Sequence, residues 1–310
     1  MIRRSSVLTI GIAILVFWGL CVPASGQSEN EIRIDNRLVM VPVAVFDRDG
    51  RHVGALRRPD FRVFEDGIEQ SIDVFQSTEN EISVYLLLDV SGSTAKFAGE
   101  IADAANMFVK QLRPTDEIGV ASFAYDRRVL VDQKKVSAFA DRIGIQVFPL
   151  DPGTLVYDAV DFAAKRLRKR QRRKAIVLFS DGVDTGIHKK LEQALRDAEE
   201  QDAAIYTIHY GANEPPTKFV DPNKYLAWQK EALIYMRSVA ESTGGRYFQI
   251  EEIANLSETF RSIAEQLSRQ YTLGYYPQKD GKKGERRRIK VTVNHPDAAV
   301  RSRTTYLIDR

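Results

Sequence analysis

Asp89, Ser91 and Ser93 close the stretch Ile82 to Thr94, ISVYLLLDVSGST. The apolar run before them reads as a buried strand of the parallel-sheet kind. In open α/β sheets ligands bind beyond the carboxyl ends of the strands, so a carboxylate and two hydroxyls at that point are placed to hold something. Two other places repeat the arrangement. Gly153-Thr154 opens a helical pattern, and a second fully apolar strand, Ala175 to Ser180 (AIVLFS), ends on Asp181-Gly182. D-x-S-x-S alone is a weak signal, and this context is what gives it weight.

Covalent chemistry fits these residues less well. Ser91 lacks the G-x-S-x-G elbow because position 89 is Asp, and the nearest candidate base in sequence is His188, at the start of a later helix. Asp89 as a phosphoryl-accepting nucleophile would want a second acid two positions on, where this chain has Ser91. No G-x-x-x-x-G-K-[ST] phosphate loop occurs.

The elements that must position these residues alternate. Phe97, Ile101, Ala105, Phe108 and Leu112 recur at helical spacing up to Pro114, and Ile118 to Tyr125 reads as a strand with Arg128 to Val131 as its edge partner. A weak helix is expected over Val136 to Arg142 and a firm one over Thr154 to Lys169. Leu191 to Ala198, Trp228 to Val239 and Ile253 to Leu267 carry further apolar stripes, with strands at Ala203 to Tyr210 and Arg246 to Ile250 between them. Strand and helix in alternation predict a doubly wound, mostly parallel α/β sheet with helices on both faces.

The flanks have a different rhythm. Leu38 to Phe46, Asp60 to Glu65 and Ile72 to Phe75 before the sheet read as short strands with no helix between them, as do Tyr271 to Tyr276, Arg287 to Val293 and Val300 to Leu307 after it. Neither set is large enough to stand alone. The economical expectation is that residues 31–78 and 271–310 pair into one small β-sandwich into which the α/β domain, residues 80–270, is inserted.

Residues 1–26 combine MIRR, an apolar run from Val7 to Val22 and the small residues Ala24, Ser25 and Gly26, the three-part pattern of a cleaved secretory signal. The run is broken by Gly11 and Gly19 and is shorter than the ~20 residues that span a bilayer, so no permanent span is expected after cleavage. Cys21 is the one cysteine, and the bulky Leu20 before it fits lipid attachment poorly. Cleavage would leave 284 of the 310 residues without cysteine, and loss of Arg3 and Arg4 takes the formal charge from +3 to +1. A nearly neutral exported chain, periplasmic or extracellular, is not expected to take nucleic acid as its main partner.

With these motifs in order, the chain resembles the von Willebrand factor type A (VWA) domain. In that family D-x-S-x-S, a threonine in the loop before a helix and an aspartate ending the fourth strand form the metal-ion-dependent adhesion site. The resemblance covers roughly residues 82 to 268, and the flanking LVMVPVAVFDRDG, DFRVFEDG and YTLGYYP are similar to those of secreted bacterial VWA-related proteins. Carried over, it implies Asp89, Ser91, Ser93, Thr154 and Asp181 as metal ligands, with no catalytic residues. Thr94 stands where many such domains have Met, and Pro152 where many have Gly; neither removes a ligand, but Pro152 stiffens the loop that delivers Thr154. Two carboxylates and three hydroxyls are hard oxygen donors suited to Mg²⁺, with Mn²⁺ or Ca²⁺ as substitutes. Two negative ligands do not overcompensate the ion, so an Asp or Glu on a partner protein is the natural further ligand.

The expected function is therefore an exported, metal-dependent protein-binding module without turnover; a metal-assisted hydrolase and a purely structural secreted protein are the alternatives. Other residues have plainer readings. Ser91, Ser93 and Asp181 are also good helix caps, and Lys165 to Lys174 (KRLRKRQRRK) reads as the solvated end of a helix. His52, His188, His209 and His295 lack zinc-like spacing. Tyr271, Tyr275 and Tyr276 read as sandwich packing, and Gly244-Gly245 as a helix C-cap and turn.

Overall fold

The computed structural model describes residues 38–308 other than 50, 141, 148–152, 187–188 and 212–220. The expected export signal, Cys21, Pro152 and His188 lie outside the described residues. The chain begins with strands β1 (Val39–Phe46), β2 (Phe61–Glu65), β3 (Ile68–Gln70) and β4 (Val74–Gln76). Alternation follows: β5 (Ile82–Asp89), α1 (Ala98–Gln111), β6 (Glu117–Phe123), β7 (Arg127–Lys135), α2 (Val156–Leu167), β8 (Arg173–Ser180), α3 (Leu191–Glu199), β9 (Ala204–Tyr210), α4 (Pro222–Thr243), β10 (Tyr247–Ile250) and α5 (Leu256–Ser268). The chain finishes with β11 (Tyr271–Tyr275), β12 (Arg286–Val293), β13 (Ala299–Ser302) and β14 (Thr305–Leu307).

The central sheet has the order β10-β9-β8-β5-β6-β7 and is parallel except for β7. All eight residues of β5 are buried, because a strand flanked by helices on both faces has no solvent side. Its side chains alternate: Val84, Leu86 and Leu88 pack into a core with α1 and α5, whereas Tyr85 and Leu87 pack into another with α2, α3 and α4. The result is a three-layer α/β/α sandwich, as its alternating sequence predicts. From β5 the chain winds outward through β6 and then crosses back to β8 on the other side, so the switch point lies between the carboxyl ends of β5 and β8. Among the described residues no helix is long and apolar enough to cross a membrane.

The residues before β5 and after α5 form two antiparallel four-stranded sheets, β13-β1-β11-β4 and β14-β12-β2-β3, which share one apolar core. Val43 of β1 stands opposite Tyr271 of β11, and Val63 of β2 opposite Val291 of β12. Each sheet is thus built from both flanks of the chain.

The structure departs from the sequence reading in several places. Among the described residues of Val136 to Arg142, the helical part is a 3₁₀ turn at Val136–Ala138; Val136 N bonds Asp116 O, and just past the stretch Ile143 N bonds Asn106 Oδ1 of α1. Val300 to Leu307 is two strands, one in each sheet, parted at the buried Arg303. Tyr276 is 44 % exposed rather than packed, while Tyr271 and Tyr275 are buried as expected. Gly244 takes φ of 81° at the α4 C-cap, a left-handed conformation that favours glycine.

The basic run is also corrected. Only its first part is a solvated helix end; Arg170, Arg172 and Lys174 pair with Glu117, Glu81 and Asp202. Arg173, 2 % exposed, donates to the carbonyls of Asn80, Leu267 and Gln270. It thereby ties together the two connections between the central sheet and the flanking sheets, and its charge lies at the negative end of α5. Burial holds its guanidinium down to about 10.

Candidate functional site

The site forms where β5 and β8 end together. Leu88 pairs with Phe179, which brings Asp89 level with Ser180 and leaves Asp181 one residue beyond. Asp89 is fully buried, and its two oxygens face different partners: Oδ1 accepts from Ser91 N at 2.9 Å in an Asx-type turn, and Oδ2 accepts from Ser180 Oγ. Thr94 Oγ1 donates to the Asp89 carbonyl at 2.9 Å, closing the loop on itself. The Thr at the position where Met is common therefore has a bonding role here.

Asp181, 7 % exposed, accepts from Ser93 Oγ at 2.5 Å and from Val183 N at 3.0 Å. Ser93 and Ser91 hydroxyls lie 3.4 Å apart. A continuous hydrogen-bonded path thus joins Asp89, Ser91, Ser93 and Asp181, four of the five residues singled out in the sequence. Gly182 turns the chain at φ of 75°, where an added Cβ would stand 2.9 Å from Met236 of α4. Thr154 is buried in the adjoining loop, held by Thr185 through Thr154 N–Thr185 Oγ1 at 2.8 Å and Thr185 N–Thr154 O at 2.9 Å. Among the described residues no hydrogen bond links Thr154 to the other four.

Electrostatics set the character of this cluster. Burial, and next the Asp181 charge, push the Asp89 carboxyl well above the ordinary range; burial does the same to Asp181, opposed by its bonds from Ser93 and Val183. No basic side chain forms an ion pair with either among the described residues. Their partners are hydroxyls and amides, which carry no full charge. The described residues hold no cluster of three or more His, Cys, Asp or Glu side chains suited to a metal. A cation at this point would depend on hydroxyl oxygens beside the two carboxylates, and the donor set is hard throughout.

Three contributing residues escaped the sequence reading. Ser180 stands beside a named ligand on a strand, and only the β5–β8 register shows that its hydroxyl meets Asp89. Thr185 lies four residues past Asp181 and anchors the Thr154 loop. His209, read as a scattered histidine, closes β9 beside Asp181; its Nδ1 meets Tyr247 OH at 2.8 Å, and burial holds the imidazole below its usual range.

Residues 84–183, from β5 to the loop after Asp181, match the family model of the von Willebrand factor type A domain. The chain carries a VWA domain in this α/β region. Solved structures similar to the chain include a von Willebrand factor type A protein from Catenulispora acidiphila, with 13 % identity over 86 % of this chain and 72 % of that one, at a TM-score of 0.47. The ArnB paralog VWA2 from Sulfolobus acidocaldarius is 14 % identical over 87 % of this chain and 75 % of its own, at 0.44. Proximal thread matrix protein 1 of the mussel byssus, solved with a zinc-occupied MIDAS motif, is 16 % identical over 66 % of this chain and 49 % of its own, at 0.46. No curated protein matches the chain.

Proposed function

We propose that this chain is an exported protein-binding module that holds a divalent cation, Mg²⁺ or in its place Mn²⁺ or Ca²⁺, through Asp89, Ser91, Ser93, Thr154 and Asp181. The observation that carries the reading is the pair of buried carboxylates at the sheet's switch point, joined by serine hydroxyls and met by no basic side chain among the described residues. Burying like charges without a counter-charge is costly, and a bound cation removes the cost. When bound, the ion supplies a Lewis-acidic position for a carboxylate of a partner protein. The chain's own part is positional: Thr94 and Ser180 fix Asp89, Val183 N fixes Asp181, and Thr185 fixes the Thr154 loop.

Binding rather than turnover is favoured because, among the described residues, no histidine or lysine reaches Ser91; its hydroxyl meets that of Ser93 and the carboxylate of Asp89, itself an expected ligand. A purely structural role would leave the carboxylate pair without a purpose. The domain reading continues from the same architecture: residues 31–78 and 271–310 as one sandwich around the domain of residues 80–270, after an export signal at 1–26. Calorimetric and thermal-shift titration of the chain and of Asp181→Ala with Mg²⁺ tests the site. The expected result is stabilisation of the unaltered chain, about 2.7 kcal/mol at a hundredfold excess over Kd, with none in the variant. Equal responses would sink the reading.

A further inference from the structure

We infer that the groove between α4 and β10, which opens at Asp181, recognises acidic residues flanking the carboxylate that the partner presents to the site. The inference rests on the binding reading above for the placement of that carboxylate. A cavity of about 300 Å³ starts at Asp181 and runs between the end of β9, the early turns of α4 and Gln249 of β10. Asp181 is the one acid in its described lining, and Lys230 stands on its α4 wall. Contacts lead on from the lining to Arg237. His209, which lines the cavity, bonds Tyr247 OH at 2.8 Å, Tyr247 OH donates to Gln249 Oε1 at 3.3 Å, and the Arg237 guanidinium lies 5.2 Å over the Tyr247 ring.

Lys230 and Arg237 are thus two exposed cations on one side of α4, two turns apart, and neither pairs with a described acid. Seven helical residues separate them by ~10 Å, about the span of three residues of extended chain. A polypeptide leaving the Asp181 end of the groove in extended form can bring one acid to each cation, with Leu233 and Tyr247 as the apolar surface between them. Basic flanks would meet like charge at both points. The chemistry of the groove therefore selects acidic sequence around the captured carboxylate.

The test uses fluorescein-labelled hexapeptides with one central Asp, flanked by Glu, by Ser or by Lys, followed by fluorescence polarisation in Mg²⁺ and in chelator. The unaltered chain is expected to prefer the Glu-flanked peptide over the Lys-flanked one. Lys230→Glu and Arg237→Glu should each cut that preference by roughly threefold to fivefold, together invert it, and leave the Mg²⁺ titration and the melting temperature unchanged. The preference should also shrink with added salt. Mg²⁺-dependent binding without a flank preference would overturn the groove and leave the metal reading standing. A preference that persists in chelator and inverts in the double variant would uphold the groove and count against the metal reading. Failure of the Glu-flanked peptide to bind under either condition would overturn the inference.

Discussion

Two clusters of buried acid in this molecule are treated in opposite ways. In the flanking sheets Glu65 of β2, 3 % exposed, receives hydroxyl bonds at 2.8 Å from Tyr275 of β11 and Tyr306 of β14, with Arg287 Nη1 at 3.9 Å from its other oxygen. At the end of the central sheet Asp89 and Asp181 have hydroxyls and amides for partners but no guanidinium or ammonium. The first arrangement is complete within the chain, and it stitches together four strands, β2, β11, β12 and β14, drawn from both sheets. The second holds two neighbouring carboxylates with no counter-charge among the described residues, the pattern expected of a binding site more than of a strut.

Replacement separates the two cases most sharply at Glu65. Glu65→Ala leaves two buried tyrosine hydroxyls without their acceptor, while Arg287 keeps Asp66 and Glu285, and should cost about 2 to 4 kcal/mol in urea unfolding at neutral pH. A loss below about 1 kcal/mol would mean that this cluster is not a strut. Asp181→Asn keeps an acceptor for Val183 N, turns the other oxygen into an NH2 that can donate to the Ser93 hydroxyl, and removes one of two like charges; it should go the other way. In chelator it is expected to raise the melting temperature by roughly 2 to 4 °C, the equivalent of about 1 kcal/mol for a domain of this size. Destabilisation by that amount would erase the contrast.

The smallest effect concerns His52, half-buried against the Phe46 ring at 4.4 Å. Burial first, then the charges of Arg269, Arg301 and Arg246, hold its imidazole down at about 4 against an ordinary 6.5. The unfolded chain therefore takes up this proton at higher pH than the folded one does. The contribution of neutral His52 is intact above pH 6.5 and is lost as the pH falls toward 4. The difference in melting temperature between the unaltered chain and His52→Gln should change across that window, and a constant difference would mean that His52 does not titrate in this way.

How much of this was legible in the sequence follows from what side chains can and cannot announce. Asp89, Ser91, Ser93 and Asp181 could be read because each lies just beyond an apolar run, where position along the chain alone puts it at the sheet's end. Ser180 could not, since its role depends on which strand lies beside β8. Arg173 was hidden in a basic run for the same reason: charge composition does not say that one guanidinium in ten residues will face three carbonyls from remote segments. Val300 to Leu307 reads as one strand because both halves are β-type in pattern, and only the change of sheet at Arg303 divides it. Val136 to Arg142 had helical spacing but too little length to outweigh tertiary bonds to its backbone.

The clamp at Arg173 bears on the order in which the molecule can assemble. Contacts such as Tyr275 with Glu65 join residues 210 positions apart, and closing so long a loop from an open chain is entropically expensive. Once the central sheet has formed, Asn80 and Gln270 are within reach of one side chain, and the remaining closure is that of a short loop. During synthesis β1 emerges long before β11 and β13, the strands on either side of it. Until the last 40 residues arrive, it is a bare sheet strand with both edges open, which makes the newborn N-terminal segment the point where the chain is most exposed to misassociation.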